Sequence, residues 1–437
     1  MTRVGSYKLE AAEKICPLHI LFLTHYFPPE VNAPASRTFE NAMRWVRDGH
    51  EVTVITCAPN HPDGIIYPGY RNCVRQWEET AGIRVLRVVT YLSANKGFLK
   101  RTLNYISYMI SANLLSCLVR KVDVVISTSP QFFCGMAGLW VARSKGRPWI
   151  LEIRDLWPES IIAVGAIRNR SLIKALESVE TFLYRHADHI VSVTKSFSHH
   201  IATRGVAPER ISVLTNGADL SQFKPLCKEN EIRTRLNLEG RFVASYIGTH
   251  GMAHGLDTVL GAAKLLRAER NIVFLLVGGG AERERLLARR DEMGLENVIM
   301  LPQQPKDQMP LILAASDACM VLLKKRDLFK TVIPSKIFEA MAMERPIILG
   351  VEGESREIIE QGGCGLCIEP ENELDLAESV LRLSRDPGLG RQMGLNGGRF
   401  VRERFDRDAL AKRYLEVIAA AADQGLRPAL ESRNSAA

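Results

Sequence analysis

Short apolar runs alternate with helical segments twice along this chain, and this alternation constrains the fold more than any other feature. His19–Thr24 begins the first series and Phe242–Gly248 begins the second, and each run is followed by a loop and an amphipathic stretch. Strand, loop, helix and strand in this order form the repeating unit of a doubly wound parallel sheet. Polar residues 221–240, which follow an Asn216-Gly217 turn, separate the two series. The predicted fold class is therefore α/β, with two such domains facing each other across a cleft.

Length, charge and cysteine content limit the classes of function. A chain of 437 residues exceeds one ordinary domain, and its 46% hydrophobic and 24% charged residues are normal for a globular protein. The formal charge of +8 favours anionic partners such as nucleotides, lipid headgroups, phosphorylated substrates or nucleic acid. Because no nucleic-acid-binding motif occurs, we expect no nucleic-acid partner. Nine scattered cysteines, an odd number, indicate reduced thiols rather than a disulfide framework.

Two loops of the first series are predicted to lie at the carboxyl ends of strands, where doubly wound sheets bind ligands. The first, residues 25–36, is rich in proline and leads to Arg37, which either reaches a phosphate or is simply solvated. The second contains Asp155 and Glu159. Asp155 is suited to accept a proton or to hold a sugar hydroxyl. The alternative is a loop stabilised by an ion pair between Arg154 and Glu159.

The second series contains three stretches that suit a phosphate. Glycine-containing loops at 248–255 and 278–280 follow predicted strands and would let backbone N–H groups approach a phosphate closely. A basic cluster at 324–326 precedes a predicted helix that carries Lys336 and Glu339 on one face. A lysine near a helix N-terminus suits a phosphate, and a carboxylate one turn later suits a sugar diol, so the helix has the features of a nucleotide site. Plain tight turns, a solvated charge run and an ordinary amphipathic helix are the alternatives.

Residues 98–121 are predicted to form a helix with apolar residues on more than one face, and basic residues flank it. The segment is too short to span a bilayer. It either lies on a membrane surface, with its basic ends on anionic headgroups, or is buried within the first domain. No run of about 18 uninterrupted apolar residues occurs, so we expect no transmembrane helix. The first 16 residues are polar and mixed, and we expect no signal peptide.

Four motifs, in this order, resemble those of the retaining glycosyltransferases of family 4, which have the GT-B fold. They are Asn216-Gly-Ala-Asp219 with Phe223, Val277-Gly-Gly-Gly280, Ser316-Asp317, and Pro334-Ser-Lys-Ile-Phe-Glu339-Ala-Met-Ala. The resemblance covers nearly the whole chain. The stretches 26–37 and 154–159 further resemble a subgroup of bacterial surface-polysaccharide transferases.

The resemblance implies two Rossmann-like domains of different roles. Residues 17–218 would form the acceptor-binding domain, and residues 219–407 the domain that binds the nucleotide sugar. A C-terminal helix at about 408–422 is expected to pack back onto the first domain, and 424–437 to form a flexible tail.

In the family, a glutamate at the position of Glu339 binds the donor ribose. The family often has a second glutamate where this chain has Thr331, and an arginine and a lysine where it has Thr249 and His254. Because those basic residues neutralise the leaving diphosphate, we expect His254 and nearby cations, including Lys324 and Lys325, to replace them. The predicted donor-binding residues are Gly248, Thr249, Gly278, Gly280, Arg326, Lys330, Lys336 and Glu339.

We assign catalysis to Asp155, Glu159 and His254, and the acceptor loop to Asn32 and Arg37. Glycosyl transfer breaks the anomeric C–O bond while negative charge grows on the leaving phosphate, so catalysis needs electrostatic stabilisation more than a strong nucleophile. The resemblance implies retention of configuration, with the departing phosphate taking the acceptor proton. We discern no clear Asp-x-Asp metal motif and predict that no metal or other cofactor is required.

The expected reaction transfers a sugar, for which an N-acetylated deoxyhexosamine is our guess, from a UDP-sugar to a lipid-linked saccharide. The expected pathway is surface-polysaccharide or O-antigen biosynthesis, and the expected location is the inner face of the cytoplasmic membrane. Three alternatives remain at this point: an inactive family member, a GT-B-fold epimerase that converts the donor without an acceptor, and a non-catalytic sugar-nucleotide-binding protein. The sequence contains no signal for an oligomeric state.

Overall fold

The first domain of the computed structural model is built on a mostly parallel sheet. The structure describes residues 16–61, 63–93, 98–129, 132–163 and 169–434. In the first domain its elements are β1 His19–Leu23, α1 Ala33–Arg47, β2 Glu51–Cys57, β3 Arg75–Thr80, β4 Ile83–Val88, α2 Phe98–Leu115, β5 Val124–Thr128, α3 Phe132–Lys145, β6 Trp149–Ile153, α4 Glu159–Ala163, α5 Arg170–His186, β7 His189–Ser192, α6 Lys195–Thr203 and β8 Ile211–Val213. Short 3₁₀ helices occur at Ser116–Leu118 and Pro208–Arg210.

The strands of this sheet are ordered β3-β4-β2-β1-β5-β6-β7-β8. All neighbouring pairs are parallel except β3, which runs antiparallel to β4 at the edge. Every residue of β1, β5 and β6 is buried, because helices cover both faces of the sheet. The carboxyl ends of the parallel strands therefore form one edge of the domain, and the loops that follow β1 and β6 lie at that edge.

The second domain has a fully parallel sheet. Its elements are α7 Glu231–Arg235, β9 Phe242–Ile247, α8 Asp257–Leu265, β10 Ile272–Val277, α9 Arg283–Glu292, β11 Val298–Leu301, α10 Met309–Ala314, β12 Ala318–Leu322, α11 Lys336–Ala342, β13 Ile347–Gly350, α12 Glu354–Gly362, β14 Gly365–Cys367, α13 Glu373–Arg385, α14 Pro387–Arg404 and α15 Arg407–Asn434, with 3₁₀ helices at Lys306–Gln308 and Asp327–Thr331. The strand order is β11-β10-β9-β12-β13-β14. The two predicted series are thus present as two separate sheets.

Two local predictions for the first domain are wrong. Helix α1 begins at Ala33, inside the stretch 25–36 that is predicted to be a loop, because the Asn32 side chain accepts a hydrogen bond of 2.9 Å from the N–H of Ala35 and caps the helix. Strand β3 is absent from the prediction. Its residues are mostly charged or polar and alternate between exposed and half-buried, which is tolerated only at the edge of a sheet.

Helix α15 leaves the second domain and packs against the first. The Tyr414 ring lies edge-on to the Trp45 ring at 5.2 Å, and the Trp45 indole donates a 3.0 Å hydrogen bond to the carbonyl of Ala411. The helix continues to Asn434, so the described part of the tail predicted from residue 424 is helical. Residues 435–437 of that prediction lie outside the described residues.

The chain crosses between the domains twice, and the two crossings are paired. Ala218 donates a hydrogen bond of 3.0 Å to the carbonyl of Phe405, and Arg407 donates one of 3.1 Å back to the carbonyl of Ala218. A Cβ atom at Gly217 would lie 2.1 Å from the Phe405 carbonyl oxygen, so only glycine permits this close approach. Two segments of the chain therefore link the domains.

Helix α2 is buried on one side and exposed on the other. Tyr105, Tyr108 and Ala112 pack into the first domain. Four large apolar side chains on the opposite side are 49% to 76% exposed: Leu99, Leu103, Ile110 and Leu114. The buried face fits the interpretation as a helix packed within the first domain, and the exposed apolar face fits the interpretation as a helix on a membrane surface. In the described part of the chain, no helix combines the length and the apolar character needed to cross a bilayer.

Candidate functional site

A cleft of about 710 Å³ separates the two domains at the carboxyl edges of their sheets. The first domain contributes α1, Arg154 and residues 215–217 to its walls, and the second contributes Lys306, Ser335, Glu339 and Arg407. The cleft therefore has charged side chains of both domains around it. The α11 helix, predicted to be the centre of a nucleotide site, supplies Glu339 to this wall.

Lys336 begins α11, and its ammonium group is buried without a hydrogen-bond partner among the described residues. The nitrogen lies 4.0 Å from the centroid of the Tyr246 ring, a cation–π contact that only partly replaces lost hydration. Burial lowers the pKa of Lys336 to about 8, although the nearby Glu339 carboxylate opposes the shift. A buried ammonium without an anion is costly, and such groups cluster at binding sites.

His250 and His254 lie near Lys336, and Arg283 lies near His250, although Arg283 also pairs with the exposed Glu284 at 3.0 Å. His250 is fully buried, and neither of its ring nitrogens has a hydrogen-bond partner in the described part of the chain. The same holds for Nε of Arg283. Burial lowers the pKa values of His250 and His254 to about 4, and the Lys336 charge adds to both shifts. We call Lys336, His250, His254 and Arg283 the cationic corner, after the charges of Lys336 and Arg283; each of the two neutral imidazoles adds one N–H donor and one acceptor nitrogen.

The glycines at the two strand ends serve close packing rather than the exposure of N–H groups. The N–H groups of Gly248, His250 and Gly278 already donate to the carbonyls of Val277, Gly279 and Leu301. A Cβ atom at Gly278 would lie 1.9 Å from the Gly248 carbonyl oxygen, and one at Gly248 would lie 2.6 Å from the Lys336 nitrogen. The expectation of bare N–H groups is therefore wrong for Gly248 and Gly278. The two loops instead pack together and bring Lys336 over them. Gly280 follows the same pattern, since a Cβ there would lie 2.6 Å from the His250 carbonyl oxygen.

Glu339 lies one turn after Lys336, at the cleft. Burial raises its pKa, while the charges of Arg407, Lys306 and Lys336 act in the opposite direction. Lys306 and Arg407 also bind the carboxylate of Glu40 from the first domain, Lys306 at 3.0 Å. The sequence analysis missed Glu40, Lys306 and Arg407. No sequence signal marks them, because residues up to 367 positions apart meet only in the folded chain.

The basic cluster and the segment after it do not form the predicted phosphate site. Lys330 is exposed and pairs with Asp327 at 2.9 Å and with Glu352 at 3.6 Å. Lys325 binds Glu369, and Arg326 is exposed. None of these lines the cleft. Thr331, at the position of the family's second glutamate, uses its hydroxyl to close the 3₁₀ helix by donating 2.8 Å to the Leu328 carbonyl. Thr249 is exposed, and its carbonyl accepts a hydrogen bond from the Tyr246 hydroxyl.

Arg37 lines the cleft, but it has a structural role. Its guanidinium donates to Glu152 at 3.0 Å, to the Asn216 side chain at 2.9 Å and to the carbonyls of Leu214 and Thr215. These bonds occupy each of its three nitrogens, so the predicted phosphate contact is wrong for this conformation. Asn32 caps α1 and is not among the residues that line the cleft.

Asp155 and Glu159 lie away from the cleft between the domains. Asp155 lines a separate, largely apolar pocket of about 310 Å³ in the first domain, where burial raises its pKa to about 6. Glu159 binds Arg204 at 3.0 Å and approaches His200 at 3.4 Å, so the alternative pairing with Arg154 does not form either. The catalytic assignment of both carboxylates is therefore not supported by their positions.

Arg154 is the residue of this loop that faces the cleft. It donates one hydrogen bond of 2.9 Å to the Ala33 carbonyl, while its Nε and Nη1 atoms are buried without partners among the described residues. Burial lowers its pKa to about 10, with an opposing contribution from Glu152.

An Asp-x-Asp sequence that was not predicted as a site occurs at 406–408. Asp408 binds Arg44 and Arg47, and Asp406 accepts hydrogen bonds from backbone N–H groups.

Comparison with known families accounts for both halves of this architecture. Residues 32–217 match the family model of the glycosyl transferase 4-like domain, and residues 228–400 match that of the glycosyl transferases of group 1. The two halves of the chain belong to these two families of glycosyltransferase domains. The two matches meet at the crossing between the domains, so each α/β unit of the glycosyltransferase corresponds to one family domain.

Relatives and solved structures agree with this assignment. The putative colanic acid biosynthesis glycosyl transferase WcaI of Escherichia coli is 26% identical over 79% of this chain and 87% of its own length. The probable glycosyltransferase WbjE of Pseudomonas aeruginosa is 24% identical over 63% of this chain and 69% of its own. The structure of HepE from Anabaena in complex with UDP superposes with a TM-score of 0.68, at 16% identity, over 92% of this chain and 100% of HepE. The GT-B fold predicted from the sequence is confirmed. The glycosyltransferase has relatives in the biosynthesis of bacterial surface polysaccharides.

Proposed function

We propose that this glycosyltransferase moves a sugar from a nucleoside diphosphate sugar to a lipid-linked saccharide, with retention of anomeric configuration. The observation that carries the proposal is the buried, unpartnered ammonium of Lys336 in the cationic corner, one helical turn from Glu339 at the cleft. The diphosphate of the donor would supply the anion that this corner lacks. Glu339 would accept hydrogen bonds from the ribose hydroxyls.

The same geometry suits the chemistry of the transition state. As the anomeric C–O bond breaks, negative charge accumulates on the diphosphate, and positively charged or N–H donor groups fixed in a buried site stabilise it most. Lys336 and His254 would bind this charge. The departing phosphate oxygen would then take the proton of the acceptor hydroxyl, which attacks the same face of the sugar. Arg154, with two unpartnered nitrogens at the opposite wall, would position the acceptor in place of Asp155.

UDP is the nucleotide we propose, because the HepE structure of the same fold holds UDP. The transferred sugar we propose is an N-acetylated deoxyhexosamine, and this part rests only on the resemblance to the polysaccharide-transferase subgroup. We also propose that turnover is independent of divalent metal. The carboxylates of the Asp-x-Asp sequence are bound to Arg44, Arg47 and backbone N–H groups, which supports this view.

The exposed stripe of α2 supports a peripheral association with a membrane that carries the acceptor. Exposed basic residues flank its four apolar residues along the chain: Lys100 lies in the first turn of α2, and Arg120 and Lys121 follow the end of the helix. Apolar insertion combined with attraction to anionic headgroups is the usual mode of binding for such a helix. The inner face of the cytoplasmic membrane is where a UDP-sugar and a lipid-linked acceptor would meet. Lys96, which belonged to the predicted basic flank, lies outside the described residues.

Titration calorimetry with UDP tests the donor site. Lys336→Met is expected to weaken UDP binding by about ten- to a hundredfold, the usual range for a charge-assisted hydrogen bond. Lys330→Met is the matched control, because Lys330 is an exposed lysine of the same segment that pairs with Asp327. It should change the affinity less than about twofold. Equal losses in both variants, or no loss in Lys336→Met, would contradict the proposed site.

Turnover tests the reaction class. The enzyme would be incubated with labelled UDP-sugars and a lipid extract of bacterial membranes, with and without EDTA. Label that enters the lipid fraction, also with EDTA present, supports a metal-independent transferase, and the anomeric coupling constant in the product's NMR spectrum reports retention. A donor sugar that changes configuration without lipid would instead identify an epimerase.

A further inference from the structure

The first domain contains a second polar pocket, separate from the cleft between the domains. It has a volume of about 290 Å³ and lies beyond the carboxyl ends of β1 and β2, next to the first turns of α2. Its walls combine aromatic, amide, imidazole and guanidinium groups from three segments of the chain: Tyr26, Asn60, His61, Arg101, Asn104 and Tyr105. None of these residues lines the cleft between the domains.

Two residues that line this pocket have a buried nitrogen without a partner among the described residues. The Nε atom of Arg101 is buried and has no hydrogen-bond partner in the described part of the chain, and the same is true of Nδ1 of His25, which is 5% exposed. Arg101 makes one side-chain hydrogen bond, of 3.1 Å, to the Tyr105 hydroxyl. Burial lowers the pKa of His25 to about 3, so its ring is neutral and keeps one N–H to donate. The pocket thus offers a guanidinium with free donor capacity.

Two carboxylates lie near the 60–61 wall of the pocket: Asp63, which is exposed and acts on His61, and Glu30, which is already hydrogen-bonded. Glu30 accepts hydrogen bonds of 2.9 Å from the N–H groups of both Asn60 and His61, and it also feels the charge of Arg87. Those bonds fix the 60–61 wall of the pocket instead of neutralising Arg101. A half-buried guanidinium whose Nε is buried without a partner among the described residues, beside neutral polar groups, suits a phosphate, which Arg binds with two parallel hydrogen bonds.

The position of Arg101 on α2 indicates which kind of phosphate-containing ligand would reach its guanidinium. Leu99 and Leu103 stand two residues before and after Arg101, on the outward side of the helix, and are 76% and 52% exposed. An occupant that approaches along this helix meets apolar side chains outside and a phosphate-binding group inside. That arrangement fits an amphiphile with a phosphate between a lipid chain and a saccharide.

We infer that this pocket binds the phosphate that links the acceptor saccharide to its lipid. The inference rests on the proposed function and extends it by naming the residues that would hold the acceptor. Arg101 would bind the phosphate oxygens. Tyr26 and Tyr105 would flank the first sugar, and the amide of Asn60 would hydrogen-bond its hydroxyls. The loop between β1 and α1, which contributes Tyr26 here and leads to Ala33 at the cleft, connects this pocket with the site of transfer.

Binding of farnesyl phosphate, a soluble prenyl phosphate, tests the assignment. By titration calorimetry the intact protein should bind it, Arg101→Gln should bind about ten- to a hundredfold more weakly, and Arg101→Lys should be intermediate because it keeps the charge and loses the planar fork. The matched control is Arg120→Gln, which removes the same charge from an exposed arginine just beyond the other end of α2. It should change the affinity less than about twofold.

Further ligands separate the possible sources of the phosphate. Farnesol and inorganic phosphate should each bind far more weakly than farnesyl phosphate, and phosphatidylglycerol vesicles should bind Arg101→Gln as they bind the intact protein. Equal affinity for inorganic phosphate, or a selective loss of vesicle binding in Arg101→Gln, would overturn the inference, because the site would then serve a free phosphate or any bilayer headgroup. Equal losses of farnesyl phosphate affinity in both glutamine variants would also overturn it.

UDP binding provides the separate readout for the donor site. Arg101→Gln should keep the UDP affinity of the intact protein. If UDP binds and farnesyl phosphate does not, the acceptor inference fails while the donor site stands; the reverse result contradicts the donor site alone. If Arg101→Gln does not fold, His61→Ala removes a donor from the opposite wall and should weaken farnesyl phosphate binding with UDP binding unchanged.

Discussion

The carboxylate of Glu354, in the second domain, accepts a hydrogen bond of 3.0 Å from the backbone N–H of Lys195, in the first. The same carboxylate accepts two bonds from Ser196, at 3.1 Å from its N–H and 3.2 Å from its hydroxyl. Glu354 is buried and begins α12, while Lys195 and Ser196 begin α6. A side chain of one domain thus binds the N-terminus of a helix in the other and holds the two domains together.

Replacing Glu354 should loosen the contact between the domains. Glu354→Ala leaves the first N–H groups of α6 without this acceptor, so we expect a loss of about 1 to 2 kcal/mol in the free energy of unfolding, as for other helix caps. Small-angle X-ray scattering should show a larger radius of gyration. Glu357→Ala, which removes an exposed carboxylate from the same helix, is the control and should change neither quantity. An unchanged radius of gyration in Glu354→Ala would show that other contacts hold the domains.

The free energy of unfolding should depend on pH through Lys336. Burial lowers its pKa to about 8 from 10.5, so between these values the unfolded chain holds a proton that the folded chain has lost. Stability due to this group therefore rises with pH over that range, and its unfavourable contribution is fully present below pH 8. At pH 7, Lys336→Met should be more stable than the native chain by roughly 1 to 3 kcal/mol, since it removes an unpartnered buried ammonium. That advantage should shrink as pH rises to 10.

Urea denaturation at a series of pH values measures this difference directly. Lys330→Met is the control, since an exposed lysine should give a difference near zero at every pH. A stability difference for Lys336→Met that stays constant from pH 7 to 10 would mean that the buried ammonium does not titrate as described. Greater stability together with weaker UDP binding would show that Lys336 serves binding at the expense of folding.

The α2 stripe should determine binding to membranes. Leu103→Glu places a carboxylate in the exposed apolar face and should reduce sedimentation with vesicles of phosphatidylglycerol by about tenfold, because it removes apolar insertion and adds repulsion. Leu374→Glu, at a comparably exposed leucine of the second domain, should leave vesicle binding intact. Equal effects of the two changes would assign the binding to net charge alone.

Arg37 should contribute to stability rather than to donor binding. Its guanidinium and the Glu152 carboxylate are both largely buried and tie α1 to β6 and to residues 214–216. Arg37→Met leaves that carboxylate unpaired, and we expect a loss of about 3 to 5 kcal/mol in the free energy of unfolding. Calorimetric melting measures this loss. If the variant melts like the native chain, the structural role given to Arg37 is wrong.

Sequence reasoning succeeded where one local pattern determines the structure. Buried parallel strands read as short apolar runs, and Lys336 and Glu339 share a helix face because of helical periodicity alone. Strand β3 was missed because an edge strand need not be apolar. The error in α1 had a different origin, since Asn32 caps a helix whose first turn resembles a proline-rich loop.

The residues around the site were harder to predict because their roles depend on distant partners. Nothing near Asp155 in sequence shows that its side chain turns into an apolar pocket while its neighbour Arg154 faces the cleft. Lys330 resembled a phosphate ligand until the fold placed Glu352 beside it. Whether a cation is free to bind a ligand depends on which carboxylates the tertiary structure brings to it.

The packing of α15 against the first domain has a practical consequence for the production of single-domain fragments. A fragment that stops at residue 218 would lack Tyr414, Leu415 and Ile418, which complete the apolar core around Trp45, and it would expose that core to aggregation. A single proteolytic cut near residue 220 would leave the halves connected through the other crossing. An isolated first domain should therefore be produced by joining residue 217 through a short linker to residue 406, so that the chain supplies its own final helix.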